Sequence, residues 1–345
     1  MSKVKRVKYF TPEKKALISQ ENRELYEAYL KANIRTNRDV KDTTYKVYKN
    51  FMDHFLVYLA EEWDNISLYS EDFMEDAVEI MEGYIDFCQD TLLNNKKVIN
   101  TKISTVSSFF VWSLKRKLVP KHPFDKQLDR MKGTKDEKII SVYYLDEEQQ
   151  SLVTNTLAEE SKEYDIQDRL IWNIMLDSAN RVGAISRLKI SNLNLKINVF
   201  EDIREKRGKI VEVAFSDNTK EIIEEWLEIR KGMDDLKVDS FFITKHKGEY
   251  RPMTKETIQA RVRKIGYILG LEDFRSHCIR KTTLNQIYKD TGNLDYAAAM
   301  GNHESVETTR QAYIKPKSKA EVMAEINKLR NKKNEEDNKE DTEIK

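Results

Sequence analysis

Six side chains in the second half of the sequence can handle a phosphate or move a proton. Arg181 follows an apolar helical segment in SANRVGAISRL, where an arginine serves either as a helix-end cation or as an anion ligand. His277 and Arg280 are three residues apart on one helical face and can converge on a single phosphate, or can act in structure alone. Lys206 lies in the basic turn REKRGK, where a solvated lysine is the plain alternative. His303 stands in MGNHES at a helix start, where capping is its other role. Tyr313 is one of sixteen tyrosines. Cys88 and Cys278 are too few for a disulfide framework or a thiolate zinc site, so a reducing cytoplasm is the expected compartment.

The elements that must carry these residues are mostly helices. Apolar residues at spacings of three and four predict helices from Thr43 to about Glu61 (Tyr45, Tyr48, Met52, Phe55, Leu56, Leu59) and over 73–93. A third helix has Ile99, Ile103, Val106, Phe110 and Leu114 as its stripe, with Lys96, Lys97, Lys102, Lys115, Arg116 and Lys117 crowding its ends as one basic edge. Residues 119–140 hold two prolines and many lysines and read as an extended linker. Beyond it, Asp146 and Gln149 form a capping box, and Ile166, Leu170, Ile171, Ile174 and Met175 define a buried helix ending near Asn180. Residues 199–203 and 210–215 read as two strands of a hairpin with Gly208 in its turn. Helices follow at about 218–231, 255–269, 277–290, 294–300 and 305–313, with Gly292 and Gly301 at C-cap positions. A last helix after Pro316, capped by Ser318 and Glu321, carries Val322, Ile326 and Leu329.

Charge is segregated behind a net charge of +1. Residues 61–90 carry eleven acids and no Lys or Arg, residues 91–140 carry twelve bases and four acids, and residues 331–345 read as a solvated charged tail. The total therefore does not exclude nucleic acid as a partner. No apolar run approaches the roughly 18 residues of a membrane span, and the basic N-terminus lacks the apolar stretch of a signal peptide.

Taken in order, RVGAISRLKISNL, EKRGKIVEVAF and HCIRKTTLNQIYKDTGNLDYAAAMGNHESVETTRQAYIKP resemble the arginine motif, the lysine hairpin and the His-x-x-Arg to Tyr segment of the tyrosine recombinases, the phage integrase family with its Xer-like and lambda-integrase-like members. Upstream, INTKISTVSSFFVWSLKRKLVPKHPF resembles the last helix of their core-binding domain. The resemblance covers roughly residues 40–325. It implies a mainly α fold with a small antiparallel sheet in the two-domain recombinase architecture. The implied parts are an N-terminal arm (1–35), a SAM-like helical core-binding domain (36–125), a linker (126–142), an α+β catalytic domain (143–330) and a disordered tail (331–345). Four motif positions depart from the family pattern. Ala184 stands where an acid usually follows the first arginine, Lys281 where a His follows the second, Asn302 separates Gly301 from His303, and Tyr313 follows His303 by ten residues.

The resemblance also implies a chemistry. Breaking a DNA strand without metal or nucleotide needs a nucleophile that stores the bond energy covalently, as a phenol does in a 3'-phosphotyrosine. A phenol of ordinary pKa near 10 must lose its proton as it attacks. By the resemblance Tyr313 is that nucleophile, Arg181 and Arg280 clamp the phosphate, Lys206 protonates the leaving 5'-oxygen, His277 moves protons and His303 hydrogen-bonds the phosphate. No cofactor or metal is implied. The implied partners are double-stranded DNA, with Lys96, Lys97, Lys102, Lys115, Arg116, Lys117 and Lys121 as phosphate contacts, and further copies of the chain. These copies would form a dimer on one site and a tetramer in synapsis through the C-terminal helix, in a prokaryotic or viral cytoplasm at the nucleoid. A recombinase-fold DNA-binding regulator that no longer cuts is the alternative, and a type IB topoisomerase or telomere resolvase a third reading.

Overall fold

A computed structural model describes residues 9–36, 44–132, 143–159, 161–205, 209–233, 237–315, 319–324, 326–327 and 330. The chain divides into two compact units, Met1–Ser141 and Val142–Lys345.

The first unit is helical. Its elements are α1 (Pro12–Ala16), α2 (Gln20–Thr36), α3 (Thr44–Glu62), α4 (Glu71–Asp86) and α5 (Lys96–Lys115). Aromatic side chains from different helices meet in the core, where Phe55, Phe73, Tyr84, Phe109 and Phe110 are all essentially buried. Phe109 contacts Tyr26 and Tyr29 of α2 as well as Tyr69. The helix starts are fixed locally, since Ser70 and Asn95 accept from the backbone N–H three residues on. Seven acids of the 61–90 block, Glu71, Asp72, Glu75, Asp76, Glu79, Glu82 and Asp86, line the solvent side of α4, opposite buried Phe73, Ala77, Ile80 and Met81.

Two boundaries differ from expectation. Residues 12–35, expected within an arm, carry α1 and nearly all of α2 and bury Ile18, Tyr26, Tyr29 and Leu30 in this core. Asn22 clasps the α3–α4 turn, donating to Ile66 O (2.9 Å) and accepting from Leu68 N (2.9 Å). The start of the expected linker is fastened to α5, because Arg130 donates to Asn100 O (3.0 Å) and Ser104 Oγ (2.7 Å) while Leu128 and Met131 pack on the core. Residues 133–142 and the tail 331–345 lie outside the described residues.

The basic edge of α5 is also different. Lys102 is 2% exposed, with Nζ 3.6 Å from Cys88 Sγ and 5.8 Å from the ring centres of Phe10 and Tyr84. An ammonium enclosed there cannot meet a phosphate. Lys96 and Lys97 begin the helix while Lys115 ends it, about 28 Å away at 1.5 Å per residue, with Arg116, Lys117 and Lys121 beyond. Burial lowers the Lys102 pKa, against the opposing influence of Cys88. The unfolded chain therefore binds this proton more tightly, and the position contributes less stability as pH falls below the ordinary lysine pKa of about 10.4. Lys102→Met is expected to raise the unfolding free energy at pH 7 by on the order of 1 kcal/mol, with a smaller gain at pH 10. Urea denaturation at the two pH values checks this, and a loss of stability would show that the contact to sulfur outweighs desolvation.

The second unit packs helices around α7. In chain order it contains α6 (Glu147–Ala158), α7 (Ile166–Ser178), α8 (Val182–Ile185), β1 (Leu193–Asn194), β2 (Val199–Arg204), β3 (Ile210–Ala214) and α9 (Asp217–Lys231). There follow β4 (Ile243–His246), β5 (Glu249–Pro252), α10 (Lys255–Ile265), α11 (Ser276–Thr291), α12 (Leu294–Met300) and α13 (Val306–Tyr313). The Asp146–Gln149 capping box is present at α6. Leu170, Ile171, Trp172, Ile174 and Met175 bury α7 on nearly every side, against α6, α9, α10 and α11. At Gly266 a Cβ would come 2.2 Å from Phe274 Cβ, so only glycine permits the approach that seals this core.

The sheets are small and antiparallel. One has the order β1-β2-β3, with an irregularity between Phe200 and Ile203 where Asp202 takes φ 55°. The other, β4-β5, turns through Lys247 (φ 49°) and Gly248 (φ 87°), a two-residue turn that the sequence reading did not identify. Gly292 ends α11 in the left-handed conformation as expected. At α12, however, Gly301 stays right-handed and Asn302 takes the positive φ of 52°. Mainly α with small antiparallel sheets is thus both the expected and the observed class. Among the described residues no helix is long and apolar enough to cross a membrane.

Candidate active site

The site lies within the second unit, where the end of α7, the start of α11 and the α12–α13 turn meet. Helix α7 stops because Ala179 adopts the left-handed conformation (φ 50°), which turns the chain and leaves Ala179 O pointing at α11. Such a conformation is uncommon for a residue with a Cβ and is held by its surroundings. Asn180 follows, donating to Glu212 O on β3 (3.0 Å) and accepting from Asn302 Nδ2 (3.0 Å). The inserted Asn302 thereby joins three segments. Arg181 then starts α8 with its side chain 45% exposed, its Nη1 donating to Glu205 Oε2 at 3.1 Å.

Arg280, 1% exposed, is the hub. Its Nη1 donates to Ala179 O, and its Nη2 donates to Gly301 O (2.5 Å) and to His303 Nε2 (2.7 Å). The guanidinium carbon stands 5.0 Å from the ring centre of Tyr313. Two imidazoles complete the enclosure of that ring, His303 at 4.6 Å and His277 at 5.2 Å between centroids. Beneath them Tyr313, 6% exposed, packs on Ala179 and Leu284. Helix α13 therefore seats Tyr313 against His303 despite the ten-residue spacing. Of the other nearby phenols, Tyr296 is 62% exposed on α12, and Tyr288 is eleven residues beyond His277 along α11, about 16 Å.

The hydrogen bonds assign the His303 tautomer. A guanidinium only donates, so Nε2 must accept and carries no proton, which leaves Nδ1–H to donate to Thr309 Oγ1 (2.7 Å). Desolvation first, then the charges of Arg280, Arg181, Lys209 and His277, push the His303 pKa down to about 4. His277 is also lowered, by desolvation ahead of the charges of Lys281, Arg280 and Arg181. Protonating His303 in the folded state is thus disfavoured, so its contribution to stability is lost as pH falls from about 6.5 toward 4. The imidazole resonances of His303 are expected to titrate near 4 in the free protein by NMR, and a midpoint above 6 would contradict the neutral tautomer.

Five of the six expected residues thus belong to one region. Arg280, His277 and His303 all pack on the Tyr313 ring, and Arg181 is near enough for its charge to act on both histidines. Lys206 lies outside the described residues. Sequence reasoning missed Asn180, Glu205, Lys209 and Thr309. Lys209 Nζ donates to Asn302 O (2.8 Å), and its position three residues after Lys206 in the same turn was the available signal. Among the described residues no group of three His, Cys, Asp or Glu is arranged to hold a metal ion.

This fold and site define a chain of the two-domain tyrosine recombinase architecture. It belongs to the phage integrase family, which matches residues 144–320. The chain is 23% identical over 286 residues to the tyrosine recombinase XerS of Streptococcus uberis, covering 79% of this chain and 77% of that one. It is 27% identical over 180 residues to XerS of Streptococcus gordonii, spanning 50% of this chain and about half (49%) of the relative. In structure it is similar to the Tn1549 transposon integrase solved with circular intermediate DNA, with a TM-score of 0.63, 16% identity, and coverage of 90% of this chain and 100% of that one.

Proposed function

We propose that the protein is a site-specific DNA recombinase that cuts and rejoins strands through a 3'-phosphotyrosine on Tyr313, without metal or nucleotide. The observation that carries this reading is the packing of Arg280, His277 and His303 around the ring of Tyr313. In the cleavage step the Tyr313 oxygen bonds to phosphorus as the 5'-oxygen leaves. Arg280 and Arg181 meet the charge that grows on the non-bridging oxygens. His277 takes part in moving the phenolic proton, and Lys206 delivers a proton to the leaving 5'-oxygen. His303 can donate to the phosphate once Nε2 gains a proton, a change that the phosphate's own negative charge favours. Religation runs the same steps backwards with a 5'-hydroxyl of the partner strand.

Double-stranded DNA is the partner, with the exposed Lys97, Lys115, Arg116, Lys117 and Lys121 and the half-buried Lys96 as phosphate contacts. Further copies of the chain act with it, a dimer on one site and a tetramer in synapsis, joined through the helical segment after residue 318. Val322 and Met323 there are 41% and 47% exposed, which supports an outward apolar face. The site of action is the nucleoid of a prokaryotic or virus-infected cell.

The test uses a duplex selected for binding from a random pool, nicked close to the cleavage position so that religation is prevented. A denaturant-resistant protein–DNA adduct is the expected result. Tight, salt-sensitive binding with no adduct on any nick position would overturn the enzyme in favour of a regulator.

A further inference from the structure

We propose that Glu205 is the positioning residue for Arg181, holding its guanidinium in place for the scissile phosphate; the inference rests on the recombinase reading above. Arg181 is poorly restrained by its own element. It begins the four-residue α8 without a side-chain cap bond, and its long side chain is 45% exposed, so nothing in α8 itself fixes the guanidinium. An arginine free to sample its rotamers gives up that freedom when it binds a phosphate, and a group held beforehand does not.

The restraint comes from the other partner. The Glu205 carboxylate is 8% exposed and bonds Arg181 Nη1 through Oε2 at 3.1 Å. Its backbone is anchored as well, since Glu205 N donates to Lys209 O at 2.6 Å, just beyond the Arg204–Ile210 pair that ends the β2–β3 ladder. The pair is therefore asymmetric, with a largely buried, anchored acid and an exposed base. Ala184, one turn after Arg181, cannot take this part, because it offers only a methyl group and is fully buried in the hydrophobic core. Among the described residues the second carboxylate oxygen, Oε1, has no hydrogen-bond partner. Among the described residues only one of Arg181's five donors has a hydrogen-bond partner, which leaves the others to phosphate oxygens. Glu205 also directly precedes Lys206, so one short segment orients the first clamp arginine and carries the proton donor.

The opposite role is occlusion, with the carboxylate standing in for phosphate and needing to leave before DNA is cut. The two roles have opposite signs under neutralisation. Glu205→Gln is nearly isosteric. If Glu205 positions Arg181, single-turnover adduct formation on the nicked duplex at saturating DNA falls about 10- to 100-fold while the DNA dissociation constant stays within about threefold. Glu205→Asp, which keeps the carboxylate, recovers part of the rate. In an Arg181→Lys background, Glu205→Gln changes the rate by less than about twofold, because the guanidinium it orients is gone. Faster cleavage by Glu205→Gln than by the parent overturns positioning in favour of occlusion. An equal loss in the parent and Arg181→Lys backgrounds assigns the effect to the hairpin fold and also overturns it. If the parent protein forms no adduct at all, the recombinase reading fails and this inference falls with it; an adduct of normal rate in Glu205→Gln overturns the inference alone.

Discussion

Tyr313→Phe is expected to abolish the covalent protein–DNA adduct while leaving the fold and the DNA affinity in place. The substitution removes one oxygen, which also acts on Arg280, and keeps the ring that packs on Arg280, His277 and His303. Stability should therefore stay within about 1 kcal/mol of the parent, since the aromatic volume is conserved. Affinity should change less than about threefold, because most binding energy at a duplex comes from many phosphate contacts of which this phenol is not one. Chemistry is different in kind. Without the phenolic oxygen no side chain in contact with Arg280 can attack phosphorus, as the other groups around the ring are themselves the clamp and the proton carriers. Adduct formation on the nicked duplex should fall by more than about a thousandfold. Neither Tyr288 nor Tyr296 stands ready to substitute, the first about 16 Å along α11 from His277 and the second exposed on α12. An adduct surviving in Tyr313→Phe would transfer the nucleophile to another phenol, and peptide mapping of that adduct would identify it.

Helices were legible in the sequence wherever a cap and an apolar stripe coincided, as at Asp146–Gln149 and along Ile166–Met175. Both signals are local, and the tertiary structure did not override them. Lys102 lies three residues after Ile99 and four before Val106, on the buried face of α5, so its position in the stripe decides its burial although its charge points to the basic edge. Similarly, α2 has Tyr26, Tyr29 and Leu30 at helical spacing within a segment that the resemblance makes an N-terminal arm. The site residues were legible as an ordered series of motifs. Their connections were not, because Arg280 to Ala179 O, Lys209 to Asn302 O and Arg181 to Glu205 join residues 101, 93 and 24 positions apart. Spacing along the chain says nothing of such pairs. Asn302 shows the same limit at short range. As an insertion it looked like a disturbance of the Gly-His step, whereas its tolerance of positive φ and its bond to Asn180 make it part of the frame around His303.

Arg280 carries the second large effect, and two substitutions separate its two tasks. Arg280→Ala should lower both stability and rate. It strips the donor from Ala179 O, Gly301 O and His303 Nε2 in a place that is 1% exposed, and each buried acceptor left unpaired is destabilising by about 1–3 kcal/mol. Part of that loss is offset because a desolvated cation is removed as well, burial being the main cause of the lowered pKa of Arg280. A net loss near 3 kcal/mol is expected in urea denaturation. Arg280→Lys keeps a cation with three donors, enough to serve carbonyl oxygens, and should remain within about 1 kcal/mol of the parent. It cannot reproduce the planar fork, and a point charge at the end of a flexible stem follows the oxygens of a pentavalent phosphorus poorly. Single-turnover cleavage should therefore fall about 10²- to 10³-fold in Arg280→Lys although the protein is folded and DNA is bound. A Lys variant that cleaves at the parent rate would show that Arg280 only ties α7, α11 and the α12–α13 turn together. The phosphate would then be held by Arg181 and Lys206, and Glu205→Gln would become the more damaging of the two substitutions.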